Sequence, residues 1–132
     1  MAHLLLAGTF DRLPELQIIL GHWGELVLFY AERLATMEHA AGLAKPIAHY
    51  LRHNLYVTAS GMFLPHYLIR AAAVVGHERL LFSTDFPYQY REGGKARAFI
   101  ECCGLEGSSA GWIETLLIRT RKMVRFRPGA DI

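Results

Sequence analysis

Cysteine is nearly absent from this sequence: the chain has two, Cys102 and Cys103, and they are adjacent. Adjacent cysteines cannot easily meet disulfide geometry, and no C-x-x-C pair occurs. A disulfide-stapled fold is therefore not expected, and a reducing, cytoplasmic location is the prediction.

The net charge is also small, and long apolar runs are lacking. Lysine and arginine together number 14 against 12 acidic residues, and this net charge of +2 is too small to indicate a nucleic-acid partner. The apolar stretch from Met1 to Leu6 is short and lacks a cationic flank, so neither a signal peptide nor a membrane span is expected. No glycine-rich loop joins a strand to a helix, which disfavours a nucleotide-binding domain.

The composition is that of a globular domain with a substantial core. The chain has 132 residues, of which 52% are hydrophobic and 20% charged. Apolar runs and helical patterns alternate along it, and the strands are too apolar to have one wet face, so the fold class is predicted as α/β with parallel strands covered by helices. Strands are predicted over 17–21, 54–58 and 79–83, and helices over 3–12, 25–41, 46–53, 65–75 and 95–103.

The longest predicted helix, over 25–41, has apolar residues at steps of three and four, which is typical of one apolar helix face. These residues are Leu26, Phe29, Tyr30, Leu34 and Met37. The segment from Gly107 differs in character, because five basic residues crowd positions 119–127 with no acidic residue among them: Arg119, Arg121, Lys122, Arg125 and Arg127. A solvated terminal helix is favoured there over a phosphate-binding patch.

Polar residues follow each predicted strand, and Asp85 in Ser83-Thr84-Asp85-Phe86-Pro87 is the most informative of them. An aspartate directly after a buried strand suits a hard or borderline metal ion, or proton abstraction from a metal-bound water. The alternative is an aspartate that caps a helix or shapes a turn.

His22 follows the first strand in Gly21-His22-Trp23-Gly24-Glu25. The flanking glycines allow a tight turn, and Glu25 is close enough in sequence to orient the imidazole. Such a histidine is a competent general acid or base and a possible metal ligand. The alternative is a strand-end histidine that caps backbone groups.

The other candidate residues give weaker evidence of a functional site. His49 and His53 stand four residues apart but lack the glutamate of H-E-x-x-H, so two solvent-facing histidines are expected. Ser60 lacks the G-x-S-x-G context of a nucleophile and is predicted to shape a turn. The aromatic cluster after the third strand can wall a pocket or cover a core, and both readings stay open; it consists of Phe86, Tyr88 and Tyr90.

Taken in order, these segments resemble the amidohydrolase-related family that includes aminocarboxymuconate-semialdehyde decarboxylase and the hydroxybenzoate decarboxylases. Gly-His-x-Gly-Glu and Ser-Thr-Asp-Phe-Pro are the most specific signatures. The stretches that carry the resemblance are residues 8–25, 54–63 and 79–87. The resemblance implies that residues 1–105 form the last three strands of a metal-dependent-hydrolase TIM barrel, with 106–132 as a divergent basic tail.

The resemblance further implies a metal-dependent hydrolase or non-oxidative decarboxylase that acts on a small carboxylated substrate, either an aromatic ring or a related small molecule. Asp85 matches the position that ligates the divalent metal, zinc or manganese. His22 matches a position beside metal and substrate that acts in proton transfer, and Glu25 matches a position that supports it.

The family's other metal ligands lie on earlier strands, and no H-x-H or E-x-H pair occurs at a strand end here. A barrel of this type needs about 250 residues or more, so the chain corresponds to roughly half of one. Association with a complementary barrel fragment, or self-association into a homo-oligomer, is the expectation for such open sheet edges. A catalytically inactive remnant or interaction module that keeps the scaffold is the alternative function.

Because catalytic metal sites usually have three protein donors, we predict that the isolated chain binds zinc or manganese weakly and turns over no substrate. Isothermal titration calorimetry on the chain alone measures this affinity. Submicromolar binding would contradict the prediction.

Overall fold

The computed structural model describes residues 1–88 together with residues 98 and 99, and in this part six α-helices alternate with three strands. The strands are β1 (Ile18–Leu20), β2 (Leu55–Thr58) and β3 (Leu80–Leu81); the helices are α1 (Ala2–Leu6), α2 (Thr9–Arg12), α3 (Glu25–Phe29), α4 (Ala31–Ala35), α5 (Ile47–His53) and α6 (Pro65–Val75). Two short 3-10 turns, His22–Gly24 and His77–Arg79, follow β1 and precede β3.

The three strands form one parallel sheet in the order β1-β2-β3. Val57 is the common partner, since it pairs with Leu20 on one side and with Leu80 on the other. Parallel neighbours need a crossover, and α3–α5 and α6 supply the two crossovers. The predicted α/β class with parallel strands is confirmed.

Helices cover one face of the sheet. Leu55, Val57 and Leu80 have no exposed surface, and they belong to one core that also contains Leu51 of α5 and Leu68 of α6. Burying one such aliphatic side chain contributes about 1.5–3 kcal/mol. Side chains alternate along a strand, so Ile19 and its partner Tyr56 lie on the other face, and Ile19 is 46% exposed.

Several predicted bounds agree with the structure. α6 spans the predicted range 65–75, with Pro65 in its first turn and Gly76 directly after it, and α5 begins one residue after Pro46. β3 is shorter than predicted because Arg79 still belongs to the preceding turn. The helix predicted over 3–12 is two helices separated by residues 7 and 8.

The helix predicted over 25–41 is wrong in length and in its buried face. It is interrupted at Tyr30, and its second part, α4, ends at Ala35. Val27 and Leu28 face the core together with Leu34, whereas the other members of the predicted stripe are exposed, namely Leu26, Phe29, Tyr30 and Met37. Residues 26–30 are all apolar, so hydrophobicity alone does not determine which side of α3 turns inward.

The helix predicted over 95–103 lies outside the described residues except for positions 98 and 99, which are helical. The basic segment 106–132 and both cysteines also lie outside them, so the domain division at residue 105 stays a prediction.

One arginine ties the amino-terminal ends of the strands together. Arg79, just before β3, donates from Nη1 to Gln17 Oε1 at 2.7 Å, just before β1. Its guanidinium carbon lies 4.6 Å from the centroid of the Tyr56 ring of β2. A cation over an aromatic face is worth about 0.5–1 kcal/mol at exposed sites, so this side chain links all three strands.

A second polar link joins the amino-terminal segment to α5. Tyr50 is buried, and its hydroxyl donates to Asp11 Oδ1, while the Lys45 amide donates to that hydroxyl at 2.8 Å. Asp11 Oδ2 also accepts from the Ala44 amide at 3.1 Å. The hydrogen bond from Tyr50, and then that from Ala44, lower the pKa of Asp11. Burial, and then the bond to Asp11, raise the pKa of Tyr50.

Because the folded-state pKa of Asp11 lies below its unfolded value, its ionised form stabilises the fold above the unfolded pKa of about 4, and this contribution is lost as the pH falls through the folded pKa. We predict that Tyr50→Phe lowers the free energy of unfolding at pH 7 by roughly 1–2 kcal/mol, through loss of a charge-assisted hydrogen bond. The loss should shrink as the pH approaches 2.

Urea denaturation of wild type and Tyr50→Phe between pH 7 and pH 2 measures this difference. Tyr88→Phe is the matched control, because Tyr88 is 89% exposed. A deficit that stays constant with pH would contradict the role given to ionised Asp11.

Candidate functional site

His22 is presented at the carboxyl end of β1 by a left-handed turn. His22, Trp23, Gly24 and Glu25 have φ angles of 50°, 54°, 74° and 50°. A non-glycine residue in this region costs about 1–2 kcal/mol, so three of these four positions are strained. Strain of this kind persists only where the surroundings hold it.

Trp23 anchors the turn. Its indole is 6% exposed, and Nε1 donates to the Met62 carbonyl at 2.7 Å, in the segment after β2. The ring also meets Phe99 edge-on at 6.4 Å between centroids. Buried on the core side, Trp23 leaves its neighbour His22 turned toward the rim of the sheet.

The three predicted site residues come together at this rim. His22 Nε2 lies 3.8 Å from Asp85 Oδ2, and His22 Nδ1 lies 4.0 Å from Glu25 Oε1. Asp85 is the most enclosed of the three, with 24% of its side chain exposed, against 43% for His22 and 74% for Glu25. The imidazole therefore sits between two carboxylates, at distances that are longer than direct hydrogen bonds.

All three strands are followed by a non-glycine residue with positive φ. These residues are His22 after β1, Ser60 with φ 43° after β2, and Asp85 with φ 63° after β3. Left-handed residues of this kind cluster at active sites and ligand clamps. The carboxyl edge of the sheet is thus where the backbone departs from ordinary geometry.

Sequence reasoning assigned Ser60 to a turn, which the structure shows, but it missed what the hydroxyl does. Ser60 and Thr58 are each 8% exposed, and both hydrogen-bond with Ser83 at the end of β3. The signal in the sequence was a small hydroxyl residue at the end of both neighbouring strands.

The arrangement can hold and move a proton. A histidine ring with a carboxylate near each nitrogen can accept and release a proton during a reaction. With His22 Nε2 and Asp85 Oδ2 3.8 Å apart, a water or substrate atom that lies to one side of the pair can bond to both.

A divalent metal fits this set only in part. Asp85 offers carboxylate oxygens and His22 a ring nitrogen, which are donors that zinc and manganese accept. Within residues 1–88, 98 and 99, however, no group of three or more His, Cys, Asp or Glu side chains can hold a metal ion. The described residues therefore offer two donors at this edge, which is fewer than the three protein donors of a usual catalytic metal site.

The weaker candidates lie elsewhere or are exposed. His49 and His53 are on α5, which precedes β2, and their rings stack at 4.0 Å with His53 Nδ1 2.8 Å from the His49 carbonyl oxygen. Burial, and then the charges of His53 and Lys45, lower the pKa of His49. Phe86 and Tyr88 are 67% and 89% exposed, so neither covers the core, and Tyr90 lies outside the described residues.

The sequence profile of the amidohydrolase family matches residues 1–103. The chain belongs to this family. The resemblance inferred from the three strand-end motifs is confirmed, and so is the partial-barrel character of the sheet.

Curated relatives within the amidohydrolase family include decarboxylases. The chain is 37% identical over 94 residues to gamma-resorcylate decarboxylase of Polaromonas sp. strain JS666, a match that covers 65% of this chain and 28% of the relative. It is 32% identical over 133 residues to decarboxylase orsB of Emericella nidulans, which covers 98% of this chain and 38% of the relative. The chain thus spans little more than a third of the relatives' length at most.

Solved amidohydrolase-family structures share the fold. 5-Carboxyvanillate decarboxylase from Sphingomonas paucimobilis superposes with a TM-score of 0.80 at 28% identity, over 96% of this chain and 38% of that one. Dihydroxybenzoic acid decarboxylase from Polaromonas sp. JS666, with bound manganese and 2-nitroresorcinol, gives 0.76 at 28% identity, over 92% of this chain and 37% of that one.

Among the helices of the described part, none has the length and apolar character needed to cross a bilayer.

The left-handed turn also offers a test of how tightly His22 is held. A Cβ on Gly24 would lie 2.9 Å from Leu28 Cγ, and Leu28 is 2% exposed. Gly42 is a matched control, since it has a similar φ of 65° but no atom within 4 Å of such a Cβ. We predict that Gly24→Ala lowers the free energy of unfolding by about 1–3 kcal/mol more than Gly42→Ala, because of overpacking.

Urea denaturation of the two variants measures the difference. Equal losses would mean that Leu28 yields freely and that the turn is not held by this contact.

Proposed function

We propose that this chain is the C-terminal part of a metal-dependent, non-oxidative decarboxylase of aromatic carboxylates. In this proposal Asp85 ligates the divalent metal, His22 transfers the proton and Glu25 supports His22. Decarboxylation is favoured over hydrolysis because the curated relatives described above are decarboxylases.

The observation that carries the proposal is the position of the His22 imidazole between Glu25 and Asp85, at the carboxyl ends of parallel strands. In TIM-barrel enzymes the active site lies at this end of the strands. Family membership supports the assignment of a common catalytic role to the three side chains, which their geometry alone does not indicate.

Loss of carbon dioxide from an aromatic carboxylate needs a proton on the ring carbon that bears the carboxylate. The carbon–carbon bond then breaks, and its electron pair returns to the ring. An imidazolium at His22 can supply that proton from Nε2, the nitrogen that faces Asp85. In this proposal Glu25, whose Oε1 lies 4.0 Å from Nδ1, orients the ring.

Asp85 fits one ligand of a divalent metal, and the metal, when bound, would hold and polarise carboxylate oxygens of a substrate. Manganese is present in two solved relatives, dihydroxybenzoic acid decarboxylase and 5-carboxyvanillate decarboxylase. The described residues do not complete the ligand set of such a metal.

The proposal includes a partner that completes the barrel, either a complementary fragment or a second copy of the chain. Ile19 on β1 is 46% exposed on the sheet face opposite the helices. In a complete barrel this face is filled by side chains from the other strands. Self-association and a cytoplasmic location remain parts of this proposal.

A non-catalytic remnant or interaction module is the second candidate. It is favoured by the short span of the chain, 28–38% of its curated relatives, and by the incomplete ligand set in the described residues.

Complementation distinguishes the two candidates. The chain is co-expressed with the N-terminal part of the Polaromonas gamma-resorcylate decarboxylase, and carbon dioxide release from gamma-resorcylate is followed with Mn²⁺ present. We predict release from the pair but not from either part alone. Asp85→Asn and His22→Asn should each lower it by about 100-fold or more, since loss of a proton-transferring group costs on the order of 10²–10⁴ in rate.

His39→Asn serves as a matched control, because His39 is exposed and outside the site. A pair that associates in sedimentation velocity but releases no carbon dioxide would favour the interaction module. Activity that is insensitive to Asp85→Asn would contradict the proposed metal ligand.

A further inference from the structure

Three hydroxyl groups form a closed ring at the carboxyl edge of the sheet. Thr58 Oγ1 lies 2.9 Å from Ser60 Oγ, Ser60 Oγ lies 3.2 Å from Ser83 Oγ, and Ser83 Oγ lies 3.0 Å from Thr58 Oγ1. The Ser60 amide also donates to Ser83 Oγ at 3.1 Å. We refer to Thr58, Ser60 and Ser83 as the hydroxyl ring.

The protons of the hydroxyl ring can all be used within it. Each hydroxyl has one proton to donate, and Ser83 donates its proton to Thr58. Each group donates once if Thr58 donates to Ser60 and Ser60 donates to Ser83. No proton is then left for a substrate, which favours a structural role over nucleophilic or substrate-binding chemistry.

Ser60 also touches the turn that carries His22. A Cβ on Gly21 would lie 2.9 Å from Ser60 Oγ and 3.7 Å from Ser60 Cβ. The residue before His22 is therefore packed against the same oxygen that bonds to Ser83, two residues before Asp85. One side chain separates the two loops and contacts both.

We propose that the hydroxyl ring, through Ser60, positions His22 and Asp85 relative to each other. Ser60 keeps a strained φ of 43°, which places its hydroxyl between the two loops. The positioning itself follows from the contacts above, but its use in proton transfer beside a metal rests on the proposed function.

Thr58 allows a test that spares the fold. Thr58→Val removes the hydroxyl with little change in shape and keeps a β-branched residue in β2, whereas Thr58→Ser keeps the hydroxyl and removes the methyl group. The readout is the nuclear Overhauser cross-peak between the His22 ring protons and the Asp85 β-protons in the metal-free chain. We expect Thr58→Val to lose it and Thr58→Ser to retain it.

Ser60→Ala is a second variant, expected to lose the cross-peak as Thr58→Val does. Thr36→Ala is the matched control, since it deletes an exposed hydroxyl that bonds to the Arg33 carbonyl, and it should leave the cross-peak unchanged. The Trp23 indole signal reports whether each variant is folded. The proposal is overturned if Thr58→Val and Ser60→Ala both keep the cross-peak, or if Thr58→Ser loses it as fully as Thr58→Val.

The proposed function is tested separately in the same samples. Added Mn²⁺ should broaden the His22 ring signals, and Asp85→Asn should abolish this broadening. Broadening that persists in Asp85→Asn would count against the metal ligand, while the cross-peak data would still decide the positioning role.

Discussion

Because β2 pairs with β1 on one side and with β3 on the other, all three strands point the same way and end at one edge of the sheet. His22, Ser60 and Asp85 each follow a different strand, and only this pairing makes them neighbours. A shift of one residue in the register would turn the apolar side chains of β2 away from the helices. The burial of Leu55 and Val57 therefore fixes the place of the candidate site as well as the core.

The site combines backbone strain with strong local anchors. Left-handed residues after each strand raise the free energy of the folded state, and packing nearby offsets this. In the turn after β1, the buried Trp23 and its bond to the Met62 carbonyl stabilise the strained backbone. Between the loops after β2 and β3, the hydrogen bonds of Ser60 join both strand ends and have the same stabilising effect. Trp23 directly follows His22, and Ser60 packs against Gly21, which directly precedes it.

Much of this arrangement could be predicted from the sequence, because the end of a buried strand is marked by a change from apolar to polar residues. An apolar run that stops at Gly-His or at Ser-Thr-Asp locates both the edge of a sheet and its polar side chains, and His22, Glu25 and Asp85 were identified in this way. Helix α6 was also predictable, since Pro65 and Gly76 mark its ends.

The buried face of α3 and the role of Ser60 could not be predicted from the sequence, because both depend on contacts between distant segments. The uniformly apolar residues 26–30 carry no signal for the phase of α3, so only the packed core determines that Val27 and Leu28 turn inward. The role of Ser60 depends on its distances to Gly21 and Ser83, which are 39 and 23 residues away in sequence. Small polar residues near strand ends are too common to identify such a partner set. The roles of the three site residues in catalysis stay predictions.

The link made by Arg79 has a consequence for how this fold can change over time. It joins all three strands at their amino-terminal ends through a charged and aromatic contact, whereas uncharged hydroxyls join the ends of β2 and β3 at the other edge. In TIM barrels the amino-terminal face serves stability and the carboxyl face serves catalysis. Substitutions at Gln17, Tyr56 or Arg79 can thus change the stability of the sheet without changing the distance between His22 and Asp85. Selection can therefore act on stability and on chemistry at opposite ends of the same three strands.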